Sequence, residues 1–191
     1  MNFILSFILL FSFLTADSYS WEDGGTVLGS YEDSNLLDLE NVGPTNGVTP
    51  YDGDYMLTVS ESAPIESGST PQLFVAWVTD ISDGDAVTAC FYGYDDTPGS
   101  SSSMRIWGNW TENNNITAYV GSADGNLEYT AGTGWSQVCH TFSTSQAEWD
   151  EGEALVVQAR FYSSSSATED VQFFIDLVSV ETASQTATIQ F

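Results

Sequence analysis

The chain has 191 residues, of which 27 are Asp or Glu and only two are Lys or Arg, for a formal net charge of −25. A surface of that sign repels nucleic acid and anionic membranes, and it suits divalent cations, which prefer carboxylate oxygens. Hydrophobic residues make up 42% and aromatics 14%, so the acidity does not mark a disordered tail, and the length suggests one domain with a real core.

In chain order, the first element is the apolar, uncharged run "FILSFILLFSFL" (3–14). It is too short to span a bilayer and is followed by small and polar residues, so it reads as a secretory leader over residues 1–20. Ser18-Tyr19-Ser20 fits the small-x-small cleavage pattern, with cuts after Ala16 or Ser18 as close alternatives. The mature domain is then 21–191, exported and without membrane insertion, since "TATIQF" at the C-terminus is too short for a lipid-anchor signal.

Export gives the cysteines a meaning. Cys90 and Cys139 are expected to pair in an oxidising compartment. Closing a loop of about 50 residues stabilises by roughly 4 kcal/mol on the chain-entropy model. Asn109-Trp110-Thr111 and Asn115-Ile116-Thr117 match the glycosylation acceptor pattern, which makes Asn109 and Asn115 candidate attachment points.

After the leader no long window carries a helical period. Short alternating runs rich in Val, Thr, Phe, Tyr and Trp recur instead: "YMLTVSES", "QLFVAWVTDI", "DAVTACFYGY", "MRIWGNW", "NITAYVGS", "WSQVCHTFS", "EALVVQARFYS" and "VQFFIDLVSVE". Turn compositions such as "DGD", "TPGSSSS", "ENNN" and "ADGN" separate them. About eight strands at this spacing predict an all-β fold, an antiparallel β-sandwich of jelly-roll type.

Alternation then sorts the side chains. Leu155, Val157, Ala159 and Phe161 share one face and must be core, which turns Gln158, Arg160 and Tyr162 outward. Met104 and Ile106 point in, leaving Arg105, Trp107 and Asn109 out. Ile116, Ala118 and Val120 point in, with Tyr119 out. Val87, Ala89 and Phe91 point in, leaving Cys90, Tyr92 and Tyr94 out. Both arginines and five aromatics thus fall on the outward parity, where small polar residues are expected. Exposed aromatic surface with a few polar anchors marks a binding site. The candidate ligand-binding residues are Trp107, Tyr92, Tyr94, Tyr119 and Tyr162 as stacking platforms, with Arg105, Arg160 and Gln158 as hydrogen-bonding anchors.

The order of elements resembles the jelly-roll carbohydrate-binding modules of families 4, 9 and 22, within the galactose-binding-like sandwiches. The resemblance rests on "GSYED" with Tyr31 and Glu32, on Gly53-Asp54-Tyr55-Met56-Leu57-Thr58-Val59, on "DGDAVTACFYGY", on Gly134, Trp135, Val138, Thr141 and Phe142, and on Phe173, Ile175, Asp176, Val178 and Val180. It spans residues 26 to 182. It implies non-catalytic binding of a polysaccharide or glycan on a concave sheet, through rings that stack on sugars. It also implies a structural Ca²⁺ where the first and last strands meet, with Glu32 and Asp176 at the matching positions and Asp54 or its neighbour Asp52 near the third. Burial argues for the ion independently: Asp176 is flanked by apolar residues, both arginines are assigned to the outward face, and an unpaired buried carboxylate is costly.

Two other classes compete. An acidic adhesive or structural protein of a cell surface or matrix would use the same fold for contacts with wall or matrix glycoproteins. A glycosidase would need paired carboxylates about 5–5.5 Å apart for a retaining mechanism. "EWDEGE" (148–153) supplies acids, but Glu151-Gly152 interrupts any strand there. A hydrolytic triad has only His140 to draw on, and it lies on core parity without a G-x-S-x-G partner.

Overall fold

The computed structural model describes residues 14–31, 37–64, 70–95, 103–127, 134–162 and 169–191. In chain order its strands are β1 (Thr15–Tyr19), β2 (Gly29–Tyr31), β3 (Leu37–Val42), β4 (Met56–Glu61), β5 (Gln72–Thr79) and β6 (Ala86–Asp95). There follow β7 (Ser103–Glu112), β8 (Asn115–Gly125), β9 (Ser136–Ser143), β10 (Glu153–Tyr162), β11 (Val171–Thr182) and β12 (Thr188–Gln190). They form two antiparallel sheets. The first runs β3-β4-β11-β6-β9 with β1 also on β11; the second runs β12-β5-β10-β7-β8 with β2 also on β5. The two pack face to face as a β-sandwich of jelly-roll type.

The period-2 pattern is the reason for this packing. Leu57, Val59, Val87, Ala89, Phe91, Phe173 and Ile175 of the first sheet meet Leu73, Val78, Ile106, Trp110, Leu155, Val157, Ala159 and Phe161 of the second. All of these are essentially inaccessible to solvent. Full burial of such a side chain stabilises by about 1.5–3 kcal/mol. Gly108 allows a close approach between the sheets, because a Cβ there would stand 2.5 Å from the Phe142 ring and 2.9 Å from a Leu155 methyl. β5 departs from strict alternation. Val157 pairs with Ala76 but Gln158 pairs with Phe74, so Val75 is an extra residue, and it too is buried.

Cys90 lies directly opposite Cys139 in the β6–β9 ladder, and an S–S bond of 2.07 Å joins them. The bond clips the edge strand β9 to its neighbour on the outer face of the first sheet.

β1 lies within the segment assigned to the leader. It pairs with β11 from Thr15↔Thr182 to Tyr19↔Val178. The Tyr19 ring stacks on Phe191 at 6.0 Å and meets Trp21 edge-on at 5.3 Å. A cut after Ser20 would strip this strand from the sheet, whereas a cut after Ala16 keeps Tyr19 in place. N-terminal sequencing of chain recovered from the medium of a secreting host is expected to find Asp17; a mature chain starting at Trp21 would show β1 to be dispensable. For the disulfide, Cys139→Ala is expected to cost roughly 2–4 kcal/mol in a denaturant melt. A variant as stable as the native chain would mean the bond constrains nothing.

Candidate ligand-binding groove

The β10–β7 ladder runs without a shift from Glu153↔Glu112 to Tyr162↔Ser103. Its register sets Gln158 against Trp107 and Arg160 against Arg105 on the outer face of the second sheet. Like charges directly opposite destabilise a sheet by about 0.2–1 kcal/mol. Here both guanidiniums rest on aromatic faces. Arg105 Cζ lies 4.4 Å from the centre of the Trp107 ring and 4.7 Å from that of Tyr162, and Arg160 Cζ lies 4.7 Å from Trp107. Cation–π contacts of this kind offset the repulsion by about 0.5–1 kcal/mol each at exposed sites.

Trp107 is fixed from its other side. Its indole N–H donates to Ser122 Oγ at 3.1 Å. Gly125 is its register partner on β8, where a Cβ would stand 2.7 Å from the ring. Arg160 Nε donates to Gln158 Oε1 at 2.9 Å. Gln158 is wholly buried, so it forms the floor and holds Arg160 rather than reaching outward itself.

These residues line a cavity of about 400 Å³. Its floor also holds Phe74 and Val156, which are buried but stand apart from the sandwich core, and Gln72 and Asn109. Tyr31 on β2 and Tyr119 on β8 are its rims, 57% and 62% exposed. From β2 to β8 there are four inter-strand steps, about 19 Å at the usual strand spacing. The cavity is a groove across the sheet, long enough for an extended chain.

Of the sequence-predicted set, Trp107, Tyr119, Arg160 and Gln158 line the groove, and Arg105 and Tyr162 stand beside it. Tyr92 and Tyr94 do not belong to it. Alternation correctly turns them outward, but β6 is in the first sheet, so they face away on the opposite side of the molecule. There Tyr92 stacks under Tyr51 with ring centres 3.5 Å apart, and Tyr94 packs edge-on against Trp135 and Phe174. Their work is to seat the loop over residues 43–55, with Val48 and Met56 in the same small apolar cluster. Asn109 lines the groove, and its Thr111 is buried, accepting the Trp77 indole N–H at 3.2 Å. A glycan on Asn109 would fill the groove, so attachment and ligand contact exclude each other at that residue. Asn115 is exposed at the start of β8, its side-chain oxygen accepting from the Thr117 hydroxyl at 2.9 Å. Tyr31 entered the sequence reading only as part of the "GSYED" motif, and Gln72, Phe74 and Val156 were not read as site residues.

The expected calcium set fares differently from its premise. Glu32 lies outside the described residues. Asp176 is fully buried, as expected, at a register shift in β11. Backbone N–H groups meet its carboxylate: Tyr51 and Asp52 donate to Oδ2 at 2.8 and 2.9 Å, and Leu177 donates to Oδ1 at 2.7 Å. Glu22 holds the same loop in the same way, accepting from Asp54 and Tyr55 N–H at 2.9 Å. Asp54 is exposed, and among the described residues no three His, Cys, Asp or Glu side chains gather as a metal site. Main-chain N–H donors thus partner the carboxylate and offset part of its burial cost, so the partner that the burial argument asked for is supplied in part by the chain itself.

No protein-family model matches the sequence, and no curated protein matches it. Solved structures do match the fold. The CBM22-1 xylan-binding domain from Paenibacillus barcinonensis Xyn10C superposes with a TM-score of 0.52 at 16% identity, over 87% of this chain and 92% of that one. The CBM22-1-CBM22-2 tandem of the same protein gives 0.51 at 15% identity, over 86% and 44%. A cyclase from Fischerella sp. TAU gives 0.53 at 11% identity, over 88% and 98%. The chain therefore has the β-sandwich of the carbohydrate-binding modules, a fold that a cyclase also uses.

Burial raises the Asp176 carboxyl from 3.8 to about 6, outweighing the N–H groups of Asp52, Leu177 and Tyr51, which pull it down. The folded chain then holds a proton that the unfolded chain has released between these two values. Its stability contribution is present below about pH 4 and is lost as pH rises through about 6. Asp176→Asn cannot titrate there. Between pH 7 and pH 4 the native chain is expected to gain roughly 2–3 kcal/mol relative to this variant in denaturant melts. A gap that stays constant would contradict the assignment.

Proposed function

We propose that the protein binds a carbohydrate chain in the groove of the second sheet and does not turn it over. The observation that carries this reading is the groove itself: exposed Tyr31 and Tyr119 at its two ends, with Trp107 and Phe74 between them. Aromatic faces are electron-rich and take the weakly positive C–H faces of sugar rings. The amides of Gln72 and Asn109 can both donate to and accept from hydroxyls. A chain-like ligand suits the length better than a single small molecule would. The likeness in fold to a xylan-binding domain agrees with this reading, and the likeness to a cyclase shows that fold alone does not decide it. Among the described residues no carboxylate pair lines the groove, which favours binding over glycoside hydrolysis. Export, a polysaccharide or surface glycan as partner, and a glycan on Asn115 rather than Asn109 complete the proposal.

A glycan array probed with native protein, Trp107→Ala and Tyr51→Ala tests it. The native chain and the Tyr51 variant, altered on the far sheet, are expected to bind the same glycans. Trp107→Ala is expected to lose at least about tenfold in affinity, equivalent to 1.4 kcal/mol. Loss in the Tyr51 variant alone would move the site to the other face. Capture of a protein partner with no glycan bound would favour an adhesive role.

A further inference from the structure

The path from Tyr119 to Tyr31 leaves Trp77, on the same outer face, unused. Trp77 is on β5, and its indole N–H donates to Thr111 Oγ1 on β7 at 3.2 Å. β10 lies between those two strands, so the indole spans it. Ala154 and Val156 point outward from β10 at this level, yet they are 0% and 1% exposed and stand apart from the sandwich core. An indole lying across them accounts for that cover. The ring itself is only half-buried, which leaves part of it open to solvent. Thr111 and Val156 also line the groove, so the ring adjoins it.

β12 adds a polar companion. Gln190 is the register partner of Trp77, so the two side chains stand on one face, and Gln190 is exposed. Residues directly opposite have Cβ atoms about 5 Å apart. An aromatic face beside an amide that both donates and accepts suits a sugar ring and its hydroxyls. β2 and β12 share one edge of β5, where Tyr31 pairs with Gln72 and Gln190 with Trp77. The groove therefore has two aromatic exits on that edge, about 17 Å apart along the strand at the usual rise. A linear chain entering past Tyr119 can leave by one of them and not by both. We propose that Trp77 and Gln190 form a side subsite for a sugar that branches from the chain, while the main chain runs from Tyr119 to Tyr31. The class selected is a polysaccharide with short side chains. This inference rests on the groove being a glycan site.

The test titrates the intact chain with oligosaccharides of arabinoxylan, galactomannan and xyloglucan, each beside its enzymatically debranched form. At least one branched form is expected to bind about tenfold or more tightly than its debranched counterpart. Trp77→Leu keeps an apolar cover on β10 and removes the aromatic face, so it should abolish the preference and leave binding of the debranched form unchanged. Trp77→Phe keeps a ring and should keep the preference. Gln190→Ala, on an exposed strand end, should shrink it; if the Trp77 variants fail to fold, an unchanged preference in Gln190→Ala overturns the side subsite. Equal binding of branched and debranched forms by the native chain also overturns it and leaves the groove reading standing. Loss of both forms in a folded Trp77→Leu, with Gln190→Ala unchanged, makes Trp77 a support of the main path and overturns the branch. Binding to no oligosaccharide of either form, with the glycan array empty as well, overturns both readings.

Discussion

The pairing of β10 with β7 is the constraint on which the groove side of the molecule depends. Ten consecutive pairs hold without a shift. A slip of one residue would turn Leu155, Val157, Ala159 and Phe161 into solvent and drive Arg160 and Gln158 into the core. The core therefore enforces the register, and the register places Arg160 beside Arg105 with Trp107 within reach of both. In this sense apolar burial on one face of β10 composes the binding surface on the other. Gly125 and Ser122 on β8 complete the seat, one by leaving room for the indole and the other by accepting its N–H.

The two outer faces have opposite uses. On the first sheet the loop over residues 43–55 lies down on Tyr92, Tyr94 and Trp135, and two carboxylates clamp its backbone from below and beside. The Trp135 indole N–H donates to Thr49 O at 2.9 Å and closes that cover. Aromatics there are consumed in packing. On the second sheet no described loop lies over Trp107, and the rings at the rims, Tyr31 and Tyr119, remain more than half exposed. An acidic envelope keeps the molecule apart from its copies and from other polyanions, while both of the chain's arginines stand together against Trp107 at the groove.

Much of the fold was legible because alternation is a local property. The strands, the core residues of β6, β7 and β10, and the outward parity of both cysteines follow from period 2 alone. Alternation does not say which sheet a strand joins, which is why Tyr92 and Tyr94 had the right parity and the wrong company. β5 hid its contribution, since "QLFVAWVT" is buried at nearly every position and its bulge at Val75 breaks the period. Phe74 and Gln72 therefore gave no signal. β2 is three residues long, too short for any period to mark Tyr31 as a rim. Asp176 was read correctly as buried, but its partners are main-chain N–H groups, one from the next residue and two from a loop some 125 positions away, which no side-chain inventory shows.

A structure of the chain with the tightest glycan found by array tests the central claim most directly. Sugar rings should lie across the second sheet between Tyr31 and Tyr119, with at least one ring against Trp107 and an oxygen acceptor within hydrogen-bonding distance of Arg160. A glycan bound instead over Tyr51 and Trp135 on the first sheet, or on the loops at either end of the sandwich, would contradict it.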